Sequence, residues 1–514
     1  MKSTSQSKSR GKKIVVRFAV VVAIIVFFLV LFELFMNCTV LQSLGFQEDE
    51  EGHIISLDAD SDANADADAD ADVNADAIIH PIDELITQDG IREGSAIHIA
   101  LSILKNYSLP ESYGEEIETE DDIEKETRRC ARYGFEFEFN NNKEVNKKRR
   151  RRRRIFWGSL IADDSWHAIA AHAAESFGLY HTVAFIESNT TQTMTKRDTR
   201  FDEGSLNLKV LQSGIFGPKT NVSVDFYSNI VTEGGSGDDI SLLRENLQRG
   251  HILQRWKKNG MQPDDIGFVG DVDEVFTRDF LLALQTCNIP LFQPGQSCYK
   301  PKIIASTLVF EMTPECSFPG YRWHHPDVAI GECIDTIGDS DLHKPGLRSY
   351  TYKNTTLGKR RPGYGLLFGD YSKMPNTKKT NMYPLWRPVD FRNAEGGEQY
   401  VEQPTKGHTG FHFHNFFDSF DVMKKKYKTF GHSVVNADLK SITKINPNVD
   451  RGVRCIMGRP DDDIRPPRPY NRRGYEGIGA RKPMLFEHES YRNARNREIK
   501  EMIEADEKKF KISS

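Results

Sequence analysis

The sequence predicts an α/β fold in which a single Rossmann-type mixed sheet is flanked by helices, and two observations support this. Residues 155–160 and 181–186 are apolar runs of strand length, and residues 164–177 between them have helical periodicity. A strand, a helix and a strand within about 30 residues form a βαβ unit, whose strands are parallel. A second helix predicted at 242–258 leads directly into the apolar run 266–269, which repeats the alternation. We therefore expect a parallel sheet in the folded part of the chain.

Two of the predicted helices have acidic residues near their starts. Asp163 or Asp164 is the expected N-cap of the helix at 164–177. Asp271 is a possible cap of the helix that begins near Thr277. These assignments compete with roles for the same carboxylates in ligand binding.

Residues 14–36 form an almost wholly apolar stretch, which predicts a transmembrane anchor. Roughly 20 such residues span the core of a bilayer. Basic residues precede the stretch and acidic residues follow it, so residues 1–13 are expected in the cytosol and the remaining chain in the lumen. A cleaved signal peptide is disfavoured because the run exceeds the usual core of about 7–15 residues and lacks a small-residue cleavage site.

Residues 37–154 are predicted to form a low-complexity lumenal stem. Alternating Asp and Ala dominate residues 58–76 and offer little to bury, while residues 78–109 have only weak helical periodicity. The Lys and Arg run at 147–154 indicates a solvated linker, with cleavage by a basic-site protease, releasing a soluble form from near Ile155, as the alternative. The anchor argues against nucleic-acid binding by this run.

A catalytic domain is expected at residues 155–448, followed by a flexible charged C-terminal tail at 449–514. The tail contains a possible charged helix at 487–509. The net charge of -5 and the hydrophobic content of 38% are ordinary for a chain that is partly globular and partly disordered. Seven cysteines are too few for a disulfide scaffold, their pairing stays open, and no C-x-x-C spacing indicates a structural zinc site.

Acidic and basic side chains are concentrated near the expected carboxyl edge of the sheet, where open α/β sheets bind ligands. Asp271 and Asp273 directly follow the apolar run ending at Val269 and can reach one hard cation, Mg²⁺ or Mn²⁺, which in turn can hold a diphosphate. Glu187 ends the second strand. The helix before the D-x-D carries Arg244 and Arg249, which either donate to a diphosphate or belong to an exposed face.

Histidines are frequent in the second half of the chain. His412 and His414 alternate along a strand-like segment, so both side chains are expected on one face. The spacings typical of zinc proteases do not occur, which disfavours that class.

Four stretches occur in this order along the chain: Phe185-Ile186-Glu187-Ser188-Asn189-Thr190-Thr191, Gly270-Asp271-Val272-Asp273-Glu274-Val275, Thr409-Gly410-Phe411-His412 and Lys424-Lys425-Lys426-Tyr427-Lys428-Thr429-Phe430-Gly431-His432. Together they resemble glycosyltransferase family 17, the β-1,4-mannosyl-glycoprotein 4-β-N-acetylglucosaminyltransferases, over roughly residues 155–449. The resemblance implies a GT-A-like fold, a UDP-sugar donor, a divalent metal and inversion at the anomeric carbon. It also implies that Asp271 and Asp273 hold the metal and that His412 completes the metal or diphosphate shell.

The expected function is metal-dependent, inverting transfer of a sugar from a UDP-sugar to a glycan or glycoprotein acceptor. N-acetylglucosamine and the β-mannose of an N-glycan are the sugar and acceptor implied by the resemblance, and the Golgi membrane is the implied location. Inversion needs a carboxylate that takes the acceptor proton, and Glu311 and Asp327 are the candidates. Glu187, Arg244, Arg249 and Asp271 are the expected donor-binding residues. A catalytically silent, membrane-anchored glycan-binding protein is the alternative.

Overall fold

The computed structural model describes residues 47–48, 54–55, 79–109, 120–137, 152–228, 238–289, 302–305, 307–323, 327–334, 350–352, 361–363, 398–401, 409–429, 438–458 and 482–513. The chain divides into two units, Met1–Ala77 and Ile78–Ser514. In the first unit, β1 (Gln47–Glu48) pairs with β2 (Ile54–Ile55) in an antiparallel ladder. The predicted anchor at 14–36 and the Asp-Ala repeat lie outside the described residues. Among the helices that are described, none has the length and apolar character needed to cross a membrane.

The larger unit is built on a seven-stranded mixed sheet with the order β14-β8-β11-β6-β3-β4-β5. The strands β6, β3, β4 and β5 are mutually parallel, β11 is antiparallel to both of its neighbours, and β14 is parallel to β8. The predicted βαβ unit and the strand before the D-x-D are therefore confirmed. The strands are β3 (Ile155–Leu160), β4 (Tyr180–Glu187), β5 (Asn221–Phe226), β6 (Ile266–Val269), β8 (Lys302–Ala305), β11 (Asp327–Ile330) and β14 (Glu398–Val401).

A second, four-stranded sheet has the order β10-β9-β15-β7. Its strands are β7 (Glu274–Phe276), β9 (Thr307–Glu311), β10 (Ser317–Trp323) and β15 (Gly410–His414), and a further hairpin pairs β12 (Tyr350–Tyr352) with β13 (Arg361–Gly363). The prediction of a single sheet was wrong. The chain turns after β6, so β7 leaves the large sheet and pairs with β15 instead.

Helices cover the sheets from both ends of the chain. They are α1 (Pro81–Gln88), α2 (Ala96–Lys105), α3 (Glu120–Arg132), α4 (Trp166–Ser176), α5 (Leu206–Gln212), α6 (Asp238–Lys258), α7 (Arg278–Thr286), α8 (Phe420–Thr429), α9 (Leu439–Ile445), α10 (Pro447–Ile456), α11 (Met484–Glu487) and α12 (Glu489–Ser513), with a 3₁₀ turn at Gly331–Cys333. The caps differ from the prediction, because Ser165 caps α4 and Thr277 caps α7. Asp271 therefore does not cap α7.

Two strand glycines let α6 approach the large sheet closely. A Cβ at Gly158 would lie 2.0 Å from Ile252 of α6, and one at Gly267 would lie 2.4 Å from Trp256. Because such distances are impossible for real atoms, only glycine allows this packing. The close approach brings the middle of α6, with Arg249, over the carboxyl end of β6.

The folded unit extends beyond both boundaries expected from the sequence. On the N-terminal side, α1 to α3 bury Ile82, Leu85, Leu101 and Leu104 in the main core, where residues 37–154 were expected to form a solvated stem. These short helices are stabilised by packing on α4, α5 and α7 rather than by their own sequence. Their helical periodicity in the sequence is therefore weak.

The C-terminal tail also belongs to the core. Leu485, Phe486, Tyr491 and Ala494 are buried in the main cluster, so residues 482–513 are not a flexible tail. The predicted charged helix is present as α12. Because most of the residues of α12 are charged or polar, its composition does not indicate the narrow apolar face that packs on the core.

The end of the basic run is likewise part of the fold. Arg153 donates to the carbonyl of Cys287, and Arg154 forms a bidentate pair with Asp265. Arg152 lies 3.5 Å from buried Glu126. The interpretation of 147–154 as a solvated linker is therefore wrong for these three arginines, while 147–151 lie outside the described residues.

Two disulfides connect distant parts of the larger unit. Cys130 of α3 pairs with Cys287 after α7, and Cys316 after β9 pairs with Cys455 of α10. The first bridges the two sides of the basic run, with a sequence separation of 157.

Candidate functional site

The D-x-D lies in a turn that connects the two sheets, and its backbone is held from several directions. Within the turn, the amide of Asp271 donates to the Glu274 carboxylate at 2.9 Å. From outside, His172 contacts the Val272 carbonyl at 3.0 Å, and the Phe413 amide donates to the Asp273 carbonyl at 2.7 Å. Buried Glu274 is therefore a structural residue that fixes the turn. These contacts hold both aspartates at the carboxyl edge of β6.

Asp271 takes part in a series of polar side-chain contacts that leads away from the turn. Arg249 of α6 donates to Asp271 at 2.7 Å and to Glu245 at 2.6 Å. Glu245 in turn accepts from Gln192 at 2.6 Å. The Arg249 side chain is 4% exposed and that of Asp271 is 41% exposed, so the guanidinium is enclosed while the carboxylate still faces solvent. The sequence placed Arg249 and Asp271 in one site, and the structure brings them into contact.

Asp273 lies among cations. The Oδ2 atom of Asp273 is 3.6 Å from Nε2 of His412. Burial opposes ionisation of Asp273, but the charges of His412 and Lys426 hold its pKa below the usual value. Burial also opposes protonation of His412, and Asp273 raises the pKa of that imidazole. The pair is therefore favoured as carboxylate and imidazolium.

Lys426 of α8 lies in the same charged group. Loss of water opposes its charged form, but Asp273, Asp164 and Asp271 together raise the pKa of Lys426. Its Nζ atom lies 5.0 Å from the centre of the Phe417 ring. Although protein atoms surround its ammonium, the Lys426 side chain keeps an accessible surface in the cleft, where its positive charge can reach a ligand.

Asp164 is a site residue that the sequence reading assigned only to helix capping. Its Oδ2 atom accepts from the amide of Ala162 at 2.8 Å, whereas Ser165 provides the cap. Burial raises the pKa of Asp164 to about 6, opposed by Lys426 and the Ala162 amide and reinforced by Asp273 and Asp271. A signal was available, since Asp164 follows β3 as Asp271 follows β6, and both strand ends are at the ligand-binding edge.

A cleft of about 180 Å³ opens beside these groups. It is formed by the carboxyl ends of β3 and β4, with walls from α6 and α8. Its lining mixes apolar side chains with hydroxyls and amides, and it includes Asp164 and Lys426, which interact with the aspartates of the D-x-D. The lining residues are Leu160, Ile161, Ala162, Asp163, Asp164, Ser188, Thr190, Thr191, Gln192, Arg197, Gln248, Phe417, Val422, Lys426 and Thr429.

Glu187 lies at the carboxyl end of β4, as expected, but its carboxylate serves the protein itself. Its two oxygens accept from the amides of Arg200 and Phe201 at 2.8 and 2.9 Å, and Arg197 adds a contact at 3.2 Å. The residue is 3% exposed. Glu187 therefore supports the loop under the cleft, with no contact surface for a donor.

The two candidates for the catalytic base occupy different sheets. Glu311 ends β9, is fully buried and accepts from Asn415 while contacting His414, both at 2.6 Å. Asp327 begins β11 and pairs with Val269, two residues before Asp271. The backbone thus brings Asp327 to the edge that carries the D-x-D, whereas Glu311 is enclosed by protein.

His414 follows His412 on one face of β15, as predicted, with ring centres 5.2 Å apart. Arg244 lies on α6, but its side chain lies outside the described residues. Within the described ranges, no group of three or more His, Cys, Asp or Glu side chains is arranged to hold a metal ion.

No family model matches the chain, and no curated protein matches it.

Proposed function

We propose that this protein is a metal-dependent, inverting glycosyltransferase of GT-A-like fold. It would move a sugar, N-acetylglucosamine by the motif resemblance, from a UDP-sugar to a glycan acceptor such as the β-mannose of an N-glycan. One observation carries the proposal: the D-x-D carboxylates share a charged cluster with Lys426, and that cluster adjoins a cleft at the carboxyl ends of parallel strands. This combination of anion, cation and apolar surface is what a nucleoside diphosphate requires.

The donor set at the D-x-D fits a divalent ion. Asp271 and Asp273 supply carboxylate oxygens, which suit Mn²⁺ or Mg²⁺. His412 would add an imidazole nitrogen only after releasing the proton that Asp273 favours on it. Such ions are commonly held by one or two carboxylates together with substrate phosphates, so a complete protein cage is not needed. Asp271 and Asp273 would hold the ion, which when bound would neutralise charge on the departing diphosphate.

Basic side chains of the protein also act beside the two aspartates. Lys426 lines the cleft and interacts with both aspartates, so its ammonium can bind phosphate oxygens by charge-assisted hydrogen bonds. Enclosed Arg249 orients Asp271 through their contact at 2.7 Å. The cleft residues then orient the nucleoside and exclude water from the reacting bond.

Asp327 is the better candidate for the base. In an inverting transfer its carboxylate would take the proton of the acceptor hydroxyl, as the acceptor oxygen bonds to the anomeric carbon and the bond from that carbon to the diphosphate breaks. The position of Asp327 beside Val269 supports this role. Glu311 is too enclosed to touch an acceptor.

The proposal includes a lumenal location in the Golgi, with residues 14–36 as a single-pass type II anchor. Disulfides persist in oxidising compartments, so the Cys130–Cys287 and Cys316–Cys455 pairs support placement in the secretory pathway.

The proposal is tested with the full-length chain purified in detergent, assayed for UDP-N-acetylglucosamine turnover with and without Mn²⁺. We expect activity that chelation removes. In Asp273→Asn it should fall at least ~100-fold, the scale on which support of a bound metal matters. Asp264→Asn, in the exposed turn before β6, is the matched control and should keep full activity. Full activity of Asp273→Asn would refute the metal assignment.

The base is tested separately from the donor site. Asp327→Asn should lose transfer while still binding UDP and Mn²⁺ in a thermal-shift experiment. At 100 times its dissociation constant, a ligand stabilises the fold by about 2.7 kcal/mol, which such a scan detects. If Asp327→Asn transfers sugar at the wild-type rate, another acid is the base.

A silent glycan-binding protein is the second candidate, and one observation favours it. Arg249 pairs with Asp271, and His412 lies beside Asp273, so both carboxylates have a positive neighbour within the protein. Binding of a high-mannose glycan without turnover of any UDP-sugar, and without a Mn²⁺ effect, would support this candidate over the transferase.

A further inference from the structure

Arg495 of α12 is a fully buried arginine whose hydrogen bonds go to backbone carbonyls of two different loops. Its Nε donates to the Met312 carbonyl at 3.0 Å, and its Nη2 donates to the Phe417 carbonyl at 2.8 Å. Its guanidinium also lies over the Phe416 ring, 5.6 Å from the centroid. Burying a charged guanidinium costs free energy of desolvation. We therefore ask what role a buried guanidinium that joins two loops has.

The two loops follow the neighbouring parallel strands β9 and β15 of the small sheet. Met312 and Asn415, one in each loop, are non-glycine residues in the left-handed region, with φ of 61° and 58°. The Met312 amide also donates to the His414 carbonyl at 2.9 Å. Such conformations persist only where the surroundings hold them, and here Arg495 is one of the groups that does so.

Of the two loops, the one after β15 leads to the candidate site, and the Met312 amide joins the loop after β9 to it. The second continues into Phe417, whose ring lines the cleft and lies under the Lys426 ammonium. It also follows directly on His412 and His414 of β15. A shift of the Phe417 carbonyl would therefore move the wall of the cleft and the cation that faces Asp273.

We propose that Arg495 is a positioning residue for the donor site, acting through Phe417 and Lys426 from the C-terminal helix. The inference rests on the proposed transferase function. Arg495 touches no residue of the D-x-D in the described part of the chain, and its effect is transmitted by the two loops. A residue with this role should change donor affinity, which a purely structural arginine would leave unaltered in protein that stays folded.

Arg492 provides a matched control on the same helix. It also donates to two carbonyls, those of Phe486 and Glu487 in its own segment, at 2.6 and 2.9 Å. Its Nε pairs with the half-exposed Glu315 carboxylate at 3.1 Å, and none of these three partners lines the cleft. The variants are Arg495→Met, Arg495→Lys and Arg492→Met in the full-length chain. Steady-state turnover of UDP-N-acetylglucosamine and UDP affinity with Mn²⁺ are measured well below each variant's melting temperature.

We expect Arg495→Met to lower kcat/KM by about 100-fold, with a higher KM and weaker UDP binding, because misplacement of about 1 Å at a distance can cost that much. Arg495→Lys keeps the charge but not the fork of two donors, so it should fold and lose about 10-fold. Arg492→Met should stay within a few-fold of wild type.

Equal kinetics for the folded Arg495 and Arg492 variants would overturn the inference and leave the proposed function standing. If Arg495→Met does not fold, wild-type kinetics of Arg495→Lys would overturn it in the same way. If the wild-type chain neither turns over the UDP-sugar nor binds UDP, the proposed function fails, and the inference fails with it.

Discussion

At the scale of single residues, the carboxylates at strand ends lie in two different kinds of environment. Glu187 and Glu311 are enclosed and accept hydrogen bonds from neighbouring amides and side chains. Asp164 instead lines the cleft with Lys426, whose ammonium also interacts with Asp271 and Asp273. The difference lies in whether protein donors occupy both oxygens of an enclosed carboxylate, and it separates residues that support the site from residues that can bind a ligand.

Glu187→Gln tests this division. The amide replaces one of two acceptor oxygens, so a buried backbone amide loses its partner and the fold should lose about 1–3 kcal/mol of unfolding free energy. Urea denaturation measures the loss, with Glu203→Gln, an exposed residue nearby, as the control. A full loss of UDP affinity in folded Glu187→Gln would restore Glu187 as a donor-binding residue.

At the scale of elements, the C-terminal segment docks on α4 through a buried carboxylate. Glu175 accepts from the amides of Arg278 and Met484, at 2.8 and 3.0 Å. Burial raises the pKa of Glu175 to about 7, opposed by these two amides and by the Arg278 charge. The segment that carries α11 and α12 therefore contacts α4 at a titrating group.

This raised pKa predicts a stability that falls as pH rises. Between the ordinary pKa of 4.5 and about 7 the folded state binds the proton more tightly than the unfolded state, so acid stabilises it. Relative to Glu175→Gln, the wild type should lose on the order of 3 kcal/mol across this window. Urea titrations at several pH values measure the difference, and parallel curves would contradict it. Glu489→Gln, at an exposed position, should behave as wild type.

Deletion of residues 482–514 tests whether the C-terminal helix is part of the fold. The deletion exposes the sites that Leu485, Phe486 and Tyr491 cover, and each such side chain contributes about 1.5–3 kcal/mol. We expect a protein that does not fold or that melts more than about 10 °C lower. Deletion of residues 509–514 alone is the control. A stable, active protein lacking 482–514 would show that the segment is dispensable.

At the scale of the whole larger unit, the Cys130–Cys287 disulfide changes what cleavage at the basic run can do. The bridge joins α3, before the run, to the residue after α7, beyond it. A cut between residues 138 and 151 therefore leaves the two pieces covalently attached. Release of a soluble form starting near Ile155 would also strip Arg153 and Arg154 from their partners.

Limited trypsin digestion of the full-length chain checks this topology. The nicked protein should migrate as one species on a denaturing gel without reductant and as two after reduction. Cys130→Ala should give two bands in both conditions. Separation of the wild-type fragments without reductant would contradict the pairing.

The local pattern of the chain determined much of the large sheet. The bounds of β3, the alternation of α4, β4, α6 and β6, and the position of the D-x-D follow from periodicity within short windows. The helix before the D-x-D put Arg249 near the aspartates and the motif resemblance put His412 there, and both residues lie beside them. These features depend on neighbours in sequence, which a reader of the sequence can see.

Only the tertiary structure decided which residues share an environment. Asp164 lies in the site because β3 and β6 are parallel neighbours, so their carboxyl ends are adjacent. Glu187 is not available to a ligand because a loop 13 residues further along the chain donates hydrogen bonds to its oxygens. The helices at 81–132 and 484–513 contribute to the core because their weakly patterned apolar faces are completed by packing on other helices. Which side chains are buried, and which partners they contact, depends on residues that are far apart in the sequence. No local pattern encodes these contacts.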